Sequence, residues 1–532
     1  MFKVTVGDFV NQQYGDESYL ENWPMLYILE NGKQAYIGQS NHIKTRMAEH
    51  QKSKDKDIFV NVHFIYSSKF NLSVTLDYES KLIQYIAADG VFEVRNKNAG
   101  MADKAYFGKS EYDETFPVLW RRLQREKLVK HSLEEIENTD LFKYSPFKEL
   151  NDDQRLAVDE ILQKIQENPK QNIVVNGMPG SGKTIVAIYL LKYLRDSDEF
   201  RDKKIAIVIP QTSLRKTLKT IFKSIYGLCP ADVIKPSDVT KQHYDILLVD
   251  EAHRLHQYRN ISYRGPFKKA CERIGLPMES DELDWIFHQC DCPVLFYDKQ
   301  QVVGPSGIDM VRFERKLGAE KSKRLISYYT LWTQMRVKGG NNYMSYVEAL
   351  FSGNVTRKKI SNYDFYMVQN FAEFNQLMYQ KECEYKLTRM VAGYAWEWVS
   401  KKDKLRYDIE IEGIKKQWNH CTEGWVHSNE AIDEVGCIHS VQGYDLNYTF
   451  VIIGNELGYD WSTGSFIVRR ENYFDRNGKN TAGDDELLGY VKNIYYVLLT
   501  RGIRGTYLYV CDEELRKYFS NYIALLEDKN NA

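Results

Sequence analysis

The second part of the chain alternates between short apolar runs of strand length and longer segments with helical periodicity. The apolar runs lie at positions 172–176, 205–209, 245–249 and 294–297, with a later series that includes 450–454 and 506–511. Helices between successive apolar strands bring those strands side by side in parallel and cover both faces of the sheet. The pattern therefore predicts an α/β fold from residue 149 to the end of the sequence.

The first 108 residues have a different pattern, which predicts a small α+β unit. Two strand-like runs, 24–30 and 33–38, flank Asn31-Gly32, a pair that is typical of a two-residue hairpin turn. In the register that such a turn sets, Tyr27 lies directly opposite Tyr36 on one face of the hairpin. The turn alone is thus expected to bring two phenol groups together.

Two helical segments follow this hairpin and add charged side chains. The segment 41–52 places Arg46 and His50 four residues apart, and therefore on one helix face. The segment 76–88 is amphipathic, and Glu79 falls on its apolar stripe. An unpaired carboxylate is disfavoured there, so that Glu79 needs a partner such as a metal ion or Arg46.

Changes in composition divide the chain into four segments. Residues 109–148 are rich in charge and contain one amphipathic helix near 118–129, which predicts a helical connector. We expect a small domain at 1–108, the connector at 109–148, and two α/β lobes at 149–320 and 321–532.

Composition and charge exclude several classes of protein. Lys and Arg total 72 and Asp and Glu total 73, a balance that counts against a purely electrostatic DNA-binding protein. Eight scattered cysteines do not form a disulfide framework, and His288, Cys290 and Cys292 lack the spacing of a zinc site. We find no secretory signal pattern and no apolar run long enough for a membrane span, and we expect a cytoplasmic protein.

A phosphate-binding loop is the clearest motif. Residues 177–184 read Gly-Met-Pro-Gly-Ser-Gly-Lys-Thr and fit the pattern G-x-x-x-x-G-K-[ST] between a strand and a helix. Gly177, Gly180 and Gly182 let backbone N–H groups surround phosphate oxygens, which the start of the helix also attracts. Lys183 is expected to reach the β- and γ-phosphates of ATP, and Thr184 is expected to bind Mg²⁺.

A pair of acidic residues supplies the second half of an ATP site. Asp250 and Glu251 directly follow the apolar run that ends at Val249. Adjacent carboxylates at the end of a buried strand are costly unless a cation lies nearby. We expect Asp250 to hold Mg²⁺ through water, and Glu251 to orient or deprotonate the attacking water.

Together these motifs resemble Walker A and Walker B of superfamily 1 and 2 helicases, and further positions favour superfamily 1. The matching positions are Gln154 as an adenine-reading glutamine, Gln301 in Tyr-Asp-Lys-Gln-Gln as γ-phosphate sensor, Arg336 and Arg501 as arginine fingers, and Gln442 in the element at 438–445. The closest resemblance is to the Schlafen-group-three-like DNA/RNA helicase domain of bacterial proteins. It implies two RecA-like lobes with ATP in the cleft and with both arginines at the γ-phosphate.

The residues of the N-terminal unit suit phosphodiester cleavage. Glu79 could hold one divalent metal ion, Arg46 could neutralise the phosphate, and a tyrosine could activate water if nearby cations lower its pKa. The pattern resembles the GIY-YIG nuclease domain over roughly its whole length. The matching residues are Tyr27, Tyr36-Ile37-Gly38, Arg46, His50, Glu79 and Asn96, whereas Met25 stands where that family has its first glycine.

We therefore interpret the chain as an ATP-dependent nucleic-acid endonuclease, with Mg²⁺ or Mn²⁺ at the nuclease centre and DNA favoured over RNA. A fusion of nuclease and motor suggests defence against foreign DNA by analogy. One alternative is an ATP-gated nuclease that does not translocate. The other is a nucleic-acid-binding ATPase scaffold whose N-terminal fold is catalytically inactive.

Overall fold

The structure is a computed structural model that describes residues 2–14, 22–97, 106–148, 150–259, 261, 264–353, 355–421, 424–441 and 444–527. The chain forms two compact units. The first comprises Met1–Arg155, Thr184–Lys203 and Lys216–Val233, and the second comprises Leu156–Lys183, Lys204–Arg215 and Ile234–Ala532.

The N-terminal part of the first unit is an α+β arrangement around one sheet. Its elements are β1 (Lys3–Asp8), β2 (Met25–Glu30), β3 (Gln34–Ser40), α1 (Ile43–Lys52), β4 (Asn61–Tyr66), α2 (Leu72–Asp89), β5 (Glu93–Val94), α3 (Lys109–Arg125), α4 (Leu133–Glu137) and α5 (Asp140–Lys143). The strand order is β1-β4-β2-β3-β5, and only the β3–β5 pair is parallel. Asn71 caps α2 by accepting a hydrogen bond from the Val74 amide.

The register of the β2–β3 hairpin differs from the predicted one by two residues. Tyr27 pairs with Gly38, not with Tyr36. The two turn residues are Gly32 and Lys33, because Gly32 takes the positive φ of 82° at the first turn position. The side chain of Asn31 accepts hydrogen bonds from the amides of Lys33 and Gln34. Since a shift of two residues preserves the face, the two tyrosines remain neighbours, at 6.4 Å between ring centroids.

Gly38 has a steric reason that follows from this register. A Cβ atom at position 38 would lie 2.3 Å from the hydroxyl oxygen of Tyr27. The absence of a side chain therefore lets the Tyr27 ring lie across β3.

The connector packs on helix α2. The hydroxyl of Tyr78 donates to the Tyr112 carbonyl at 2.7 Å, and Lys81 forms an ion pair with Asp113 at 2.5 Å. The hydroxyl of Tyr85 donates to Glu137. The first helix of the connector, α3, starts and ends earlier than the helix predicted near 118–129.

Two parallel sheets follow. The elements up to the end of the first are α6 (Asp152–Glu167), β6 (Gln171–Gly177), α7 (Lys183–Asp196), β7 (Ile205–Val208), α8 (Thr212–Phe222), β8 (Val233–Ile234), β9 (Tyr244–Val249), α9 (Arg264–Arg273), α10 (Glu282–Gln289), β10 (Cys290–Tyr297), α11 (Met310–Glu320) and β11 (Leu325–Leu331). The strand order is β11-β6-β10-β9-β7-β8. This order places β6, which carries the phosphate-binding loop, inside the sheet.

The second sheet occupies the rest of the chain. Its elements and their additions are α12 (Gly340–Ser352), β12 (Asp364–Met367), α13 (Phe371–Tyr385), β13 (Thr388–Ala392), β14 (Ile409–Ile411), β15 (Ile414–Lys416), β16 (Val435–Gly436), α14 (Ile438–Val441), β17 (Leu446–Ile453), β18 (Leu457–Asp460), β19 (Ser465–Val468), α15 (Arg476–Thr481), α16 (Asp484–Leu499), β20 (Gly502–Val510), α17 (Glu513–Ser520) and β21 (Ala524–Leu525). The order is β16-β13-β17-β20-β12-β21, with parallel pairing throughout.

The predicted boundary at residue 320 is too early. Strand β11 (Leu325–Leu331) pairs in parallel with β6 and so belongs to the first sheet. Its side chains are mostly exposed or half-buried because it is an edge strand. It therefore lacks the continuous apolar run that marks the central strands.

Candidate functional site

The phosphate-binding loop connects β6 to α7 and depends on its glycines. Gly180 and Gly182 both have φ of 82°, in the left-handed region that glycine adopts without strain. A Cβ atom at Gly177 would lie 2.5 Å from the hydroxyl oxygen of Ser181. The carbonyl of Gly180 accepts a hydrogen bond from the Met335 amide at 2.9 Å, so that the segment before Arg336 is anchored on the loop.

Lys183 is buried at the end of this loop. Its ammonium group donates to the carbonyls of Gly177 at 2.6 Å and Met178 at 3.1 Å, and to Oδ2 of Asp298 at 3.0 Å. A buried ammonium is stable only when it is paired and hydrogen-bonded. The loop and Asp298 together meet that requirement.

Asp298 extends this contact toward the second sheet. The amide nitrogen of the Gln301 side chain donates to the same Oδ2 at 2.7 Å, and Nη2 of Arg501 donates to Oε1 of Gln301 at 3.3 Å. Asp298, Gln301 and Arg501 are all buried. We call this hydrogen-bonded series, Lys183–Asp298–Gln301–Arg501, the lysine–arginine network.

Arg336 and Arg501, the two predicted arginine fingers, both belong to the second unit. Burial, and then the charge of Arg336, lower the pKa of Arg501 to about 9, which leaves the guanidinium positive at neutral pH. Arg336 forms an ion pair with Asp445. Nε of Arg501 and Nη1 of Arg336 are buried, and neither has a hydrogen-bond partner among the described residues. These two donors therefore fit an anionic ligand such as a phosphate group.

Asp250 and Glu251 stand at the carboxyl end of β9, as predicted. Asp250 is fully buried, and its amide donates to the Val208 carbonyl at 3.1 Å. Glu251 has φ of 53°, a left-handed conformation that is rare outside glycine and costs roughly 1–3 kcal/mol. Such an outlier is typical of a residue held for a functional purpose.

Three neighbouring basic side chains keep Glu251 ionised. Burial by itself raises the pKa of Glu251, but His253, Arg254 and Lys183 outweigh burial and lower this pKa well below its usual range. Nε2 of His253 lies 2.9 Å and Nε of Arg254 lies 3.5 Å from Oε2 of Glu251. The carboxylate is thus available as a proton acceptor at neutral pH.

Other predicted ATP-site residues are placed individually. Gln154 is buried near the start of α6, where its side chain accepts from the Asn151 amide at 3.1 Å. Thr184 is the second residue of α7. Gln442 lies outside the described residues.

Sequence reasoning missed several contributors to this site. The sequence motifs include Asp298 only as part of the Gln301 motif and Asp445 only as the last residue of the element at 438–445, without a role for either. The positions of His253 and Arg254 after Glu251 could have suggested their role, because a short turn brings them back to the carboxylate. The pairing of Arg336 with Asp445 has no local signal, since 109 positions separate them.

Four residues of the N-terminal candidate centre, Tyr27, Tyr36, Arg46 and His50, lie close together in the structure. The Tyr27 hydroxyl lies 2.7 Å from Nε2 of His50, and Nε of Arg46 donates to the same hydroxyl oxygen at 3.4 Å. The rings of Tyr36 and His50 meet edge to face at 5.3 Å. Helix α1 and the β2–β3 hairpin supply these four side chains.

Burial dominates the pKa values in this centre. Burial, followed by the neighbouring Tyr36, raises the pKa of Tyr27, and Arg46 lowers it, as expected of a cation, but only partly offsets the increase. Burial, and then Arg46 and Lys56, lower the pKa of His50 to about 4. His50 is therefore neutral at physiological pH, and its Nε2 shares a hydrogen bond with the Tyr27 hydroxyl.

Glu79 and Asn96 have distinct environments. Burial raises the pKa of Glu79 to about 7, although the Gln39 amide and Arg46 act in the opposite direction. Asn96 accepts from the Ile37 amide at 3.0 Å and donates to the Ile37 carbonyl at 2.8 Å. Both polar ends of Asn96 are thus used to hold β3, which makes it a positioning residue in this structure.

Lys56 is a further member of this centre that the sequence did not reveal. Its ammonium group lies 3.0 Å from the centroid of the Tyr36 ring. Burial is the main cause that lowers the pKa of Lys56 to about 7. It lies beyond the end of α1, in a segment whose path the helical periodicity does not fix.

Metal sites and membrane spans were also sought in the described part of the chain. It contains no cluster of three or more His, Cys, Asp or Glu side chains that could hold a metal ion. Cys290 and Cys292 are buried in β10, where burial raises the pKa of both thiols. None of the described helices is long and apolar enough to cross a membrane.

Comparisons with known proteins found both sequence and structural similarity. The uncharacterised protein YPL245W of Saccharomyces cerevisiae (strain ATCC 204508 / S288c) is 26% identical over 392 residues, which cover 65% of this chain and 82% of the yeast protein.

Two solved structures are similar to parts of the chain. Unliganded Pif1 from a Bacteroides species is 15% identical, with a TM-score of 0.24 and coverage of 44% of this chain and 56% of Pif1. The DUF1998 helicase MrfA bound to DNA is 9% identical, with a TM-score of 0.29 and coverage of 71% and 52%. The chain thus spans only about half the length of either protein. TM-scores this low support no conclusion about the fold or function of this chain.

The sequence also matches a protein family. A family described as Schlafen group 3, DNA/RNA helicase domain, matches residues 170–512, which is more than half of the 532-residue chain. That span contains every residue of the lysine–arginine network. This chain therefore belongs to the Schlafen group 3 DNA/RNA helicase domain family.

Proposed function

We propose that the chain is an ATP-dependent motor on nucleic acid whose N-terminal domain is a metal-dependent endonuclease, with DNA favoured over RNA. The observation that carries the motor part is the lysine–arginine network, which joins the phosphate-binding loop to Arg501 through buried hydrogen bonds. We assign the nuclease-like domain to residues 1–108 and the connector to 109–148, and we place the change between the two lobes after Leu331. Membership of a helicase domain family supports ATP and nucleic acid as ligands.

The positive charges around the phosphate-binding loop suit a nucleoside triphosphate. Lys183, Arg336 and Arg501 are cations around the loop, and the two arginines retain unused buried donors. ATP with Mg²⁺ supplies the phosphoanhydride bond that is cleaved, and these cations would neutralise the negative charge of its phosphate groups. Mg²⁺ would be held by Asp250, and the sequence motif assigns the Thr184 hydroxyl to the same ion.

Each polar residue then has a stated task. Glu251, held ionised beside His253, would accept a proton from the attacking water. Gln301 would report the state of the γ-phosphate to Arg501, because it already accepts a hydrogen bond from that arginine. Arg501 and Arg336 would stabilise negative charge on the phosphoryl group as it is transferred.

The N-terminal centre supports the nuclease part. Neutral His50 beside the Tyr27 hydroxyl can take up a proton, and Arg46 supplies a positive charge for a phosphate. Glu79 would hold the divalent metal ion, Mg²⁺ or Mn²⁺, whose positive charge would favour the ionised carboxylate. A role in restricting foreign DNA is the biological setting that we propose for this combination, by analogy with other nuclease–motor fusions.

ATP hydrolysis tests the motor assignment. We expect Glu251→Gln to bind ATP but to hydrolyse it ~10²–10⁴-fold more slowly, because only proton acceptance is lost. Lys183→Ala should weaken both binding and turnover, and Arg501→Ala should lower turnover by ~10³-fold. Phosphate release with and without nucleic acid is the measurement. Lys170→Ala, an exposed lysine, is the control. Near wild-type turnover in Glu251→Gln would contradict the assignment.

Cleavage by the N-terminal centre is a separate test. We expect Glu79→Ala to abolish cutting and to leave ATP hydrolysis largely intact. Tyr27→Phe should slow cutting by at least ~10²-fold, because the hydroxyl that hydrogen-bonds with His50 is removed. The measurement is single-turnover cleavage of single-stranded, duplex and forked DNA and RNA in Mg²⁺ or Mn²⁺.

Matched controls separate catalysis from folding in that assay. Glu111→Ala and Tyr112→Phe remove a carboxylate and a phenol hydroxyl that make exposed contacts in the same unit. Both controls should cut at the wild-type rate. If Glu79→Ala and Tyr27→Phe also cut normally, the N-terminal fold is an inactive scaffold, as the second alternative states.

The raised pKa of Glu79 predicts a dependence of stability on pH. The folded pKa is about 7 and the ordinary value is 4.5, so the folded state retains a proton that the unfolded state releases. Stability from this group is therefore complete below about pH 4.5 and is lost as the pH rises through 7, by about 3 kcal/mol in total. The measurement is urea unfolding in EDTA between pH 5 and 8, with Glu79→Gln for comparison. A pH dependence that is the same in wild type and Glu79→Gln would refute it.

A further inference from the structure

A basic, tyrosine-rich groove lies at the amino ends of strands β12, β17 and β20 in the second sheet. It has a volume of about 670 Å³. Five cations line it, from three separate segments of the chain: Lys338, Arg357-Lys358-Lys359 and Arg504. We call it the second-sheet groove. None of its lining residues belongs to the lysine–arginine network.

The positive charge of this groove is not balanced by the acidic side chains that line it. Five lysines and arginines face one carboxylate, that of Asp364, which leaves a local charge of +4, whereas the whole chain has a formal charge of −1. Asp364 already accepts a hydrogen bond from the Tyr448 hydroxyl at 2.9 Å. Within the described ranges, none of the five cations forms an ion pair. Nε of Arg504 is buried without a hydrogen-bond partner among the described residues.

Tyrosine rings form the apolar part of the groove, and hydrogen bonds fix their orientation. The hydroxyl of Tyr363 donates to the Gly502 carbonyl at 3.1 Å, and that of Tyr346 donates to the Tyr522 carbonyl at 2.7 Å. Tyr366 and Tyr522 are half-buried, so that part of each ring remains accessible. Accessible aromatic faces beside cations are suited to flat, uncharged groups that are attached to anions.

We propose that the second-sheet groove binds single-stranded nucleic acid, as a contact separate from the ATP site. Lysine and arginine side chains would neutralise successive phosphates, and the tyrosine faces would stack on unpaired bases. A single phosphate group would contact only some of the five cations, because they are spread over three segments of the chain. In a duplex, stacking of neighbouring base pairs would hide the flat faces of the bases that the tyrosines require. This proposal rests on the proposed action on nucleic acid and adds where the strand is held.

The direct test measures affinity without ATP and in EDTA, which prevents cleavage. Fluorescence anisotropy with a labelled thirty-nucleotide oligo(dT) and the matching oligo(U) compares wild type with Lys358→Ala/Lys359→Ala. We expect the variant to bind about 10-fold more weakly at ~0.1 M salt, and its slope of log affinity against log salt to fall by about 1.4, since each phosphate contact on a single strand contributes ~0.7. Both lysines are exposed, so that folding is preserved.

A matched control carries the same loss of charge elsewhere in the second unit. Lys402 and Lys404 are exposed and lie outside the groove. Lys402→Ala/Lys404→Ala should change the affinity by less than ~2-fold and leave the salt slope intact. If both double variants behave alike, the loss reflects net charge and the groove proposal is overturned. Binding to anionic lipid vesicles is measured in parallel. If Lys358→Ala/Lys359→Ala loses affinity for the vesicles but not for the oligonucleotides, the groove proposal is also overturned.

Photocrosslinking locates the strand independently of affinity. Oligonucleotides that carry 5-iodouracil should crosslink to peptides that contain Tyr366 or Tyr522. Tyr366→Ala should reduce affinity about 10-fold, whereas Tyr366→Phe should keep it, because stacking uses the ring and not the hydroxyl. Crosslinks confined to other peptides would overturn the proposal. Basal ATP hydrolysis in the groove variants should equal wild type, so that failure here is distinguishable from failure of the proposed motor function.

Discussion

One carboxylate oxygen, Oδ2 of Asp298, accepts hydrogen bonds from both the Lys183 ammonium and the Gln301 side chain. It is the point at which the phosphate-binding loop and the route to Arg501 meet. Removing one partner of a buried ion pair typically costs ~3–5 kcal/mol, because a charge is left uncompensated. The positions of Lys183, Gln301 and Arg501 are therefore interdependent, and a change in the ligand of the lysine alters the environment of the arginine.

The N-terminal centre depends on a comparable constraint, which is steric. Gly38 leaves room for the Tyr27 ring to cross β3, and that position brings the phenol hydroxyl within 2.7 Å of His50. Asn96 uses both ends of its amide to hold Ile37, the residue before Gly38. The hydrogen-bonded backbone of β3 thus determines where the Tyr27 hydroxyl lies.

Local signals in the sequence predicted the features that depend on neighbouring residues. The glycine-rich loop, the acidic pair after β9 and the joint position of Arg46 and His50 follow from short spacings. The hairpin turn was misplaced by one residue, because Asn31-Gly32 and Gly32-Lys33 both allow a tight turn and only the Asn31 side-chain contacts decide between them. The edge strand β11 and the contacts of Asp298, Asp445 and Lys56 depend on tertiary packing, which leaves no periodic trace.

The most direct test of the lysine–arginine network is a double-mutant cycle on ATP turnover with Asp298→Asn and Arg501→Ala. Gln301 connects the two residues by hydrogen bonds to both of them. If the network acts as a unit, each single variant should disable it. The double variant should then lose much less transition-state stabilisation than the two single losses combined, with a coupling energy of ~0.5–3 kcal/mol. Losses that add within ~0.5 kcal/mol would mean that the two residues act independently, and would contradict the account.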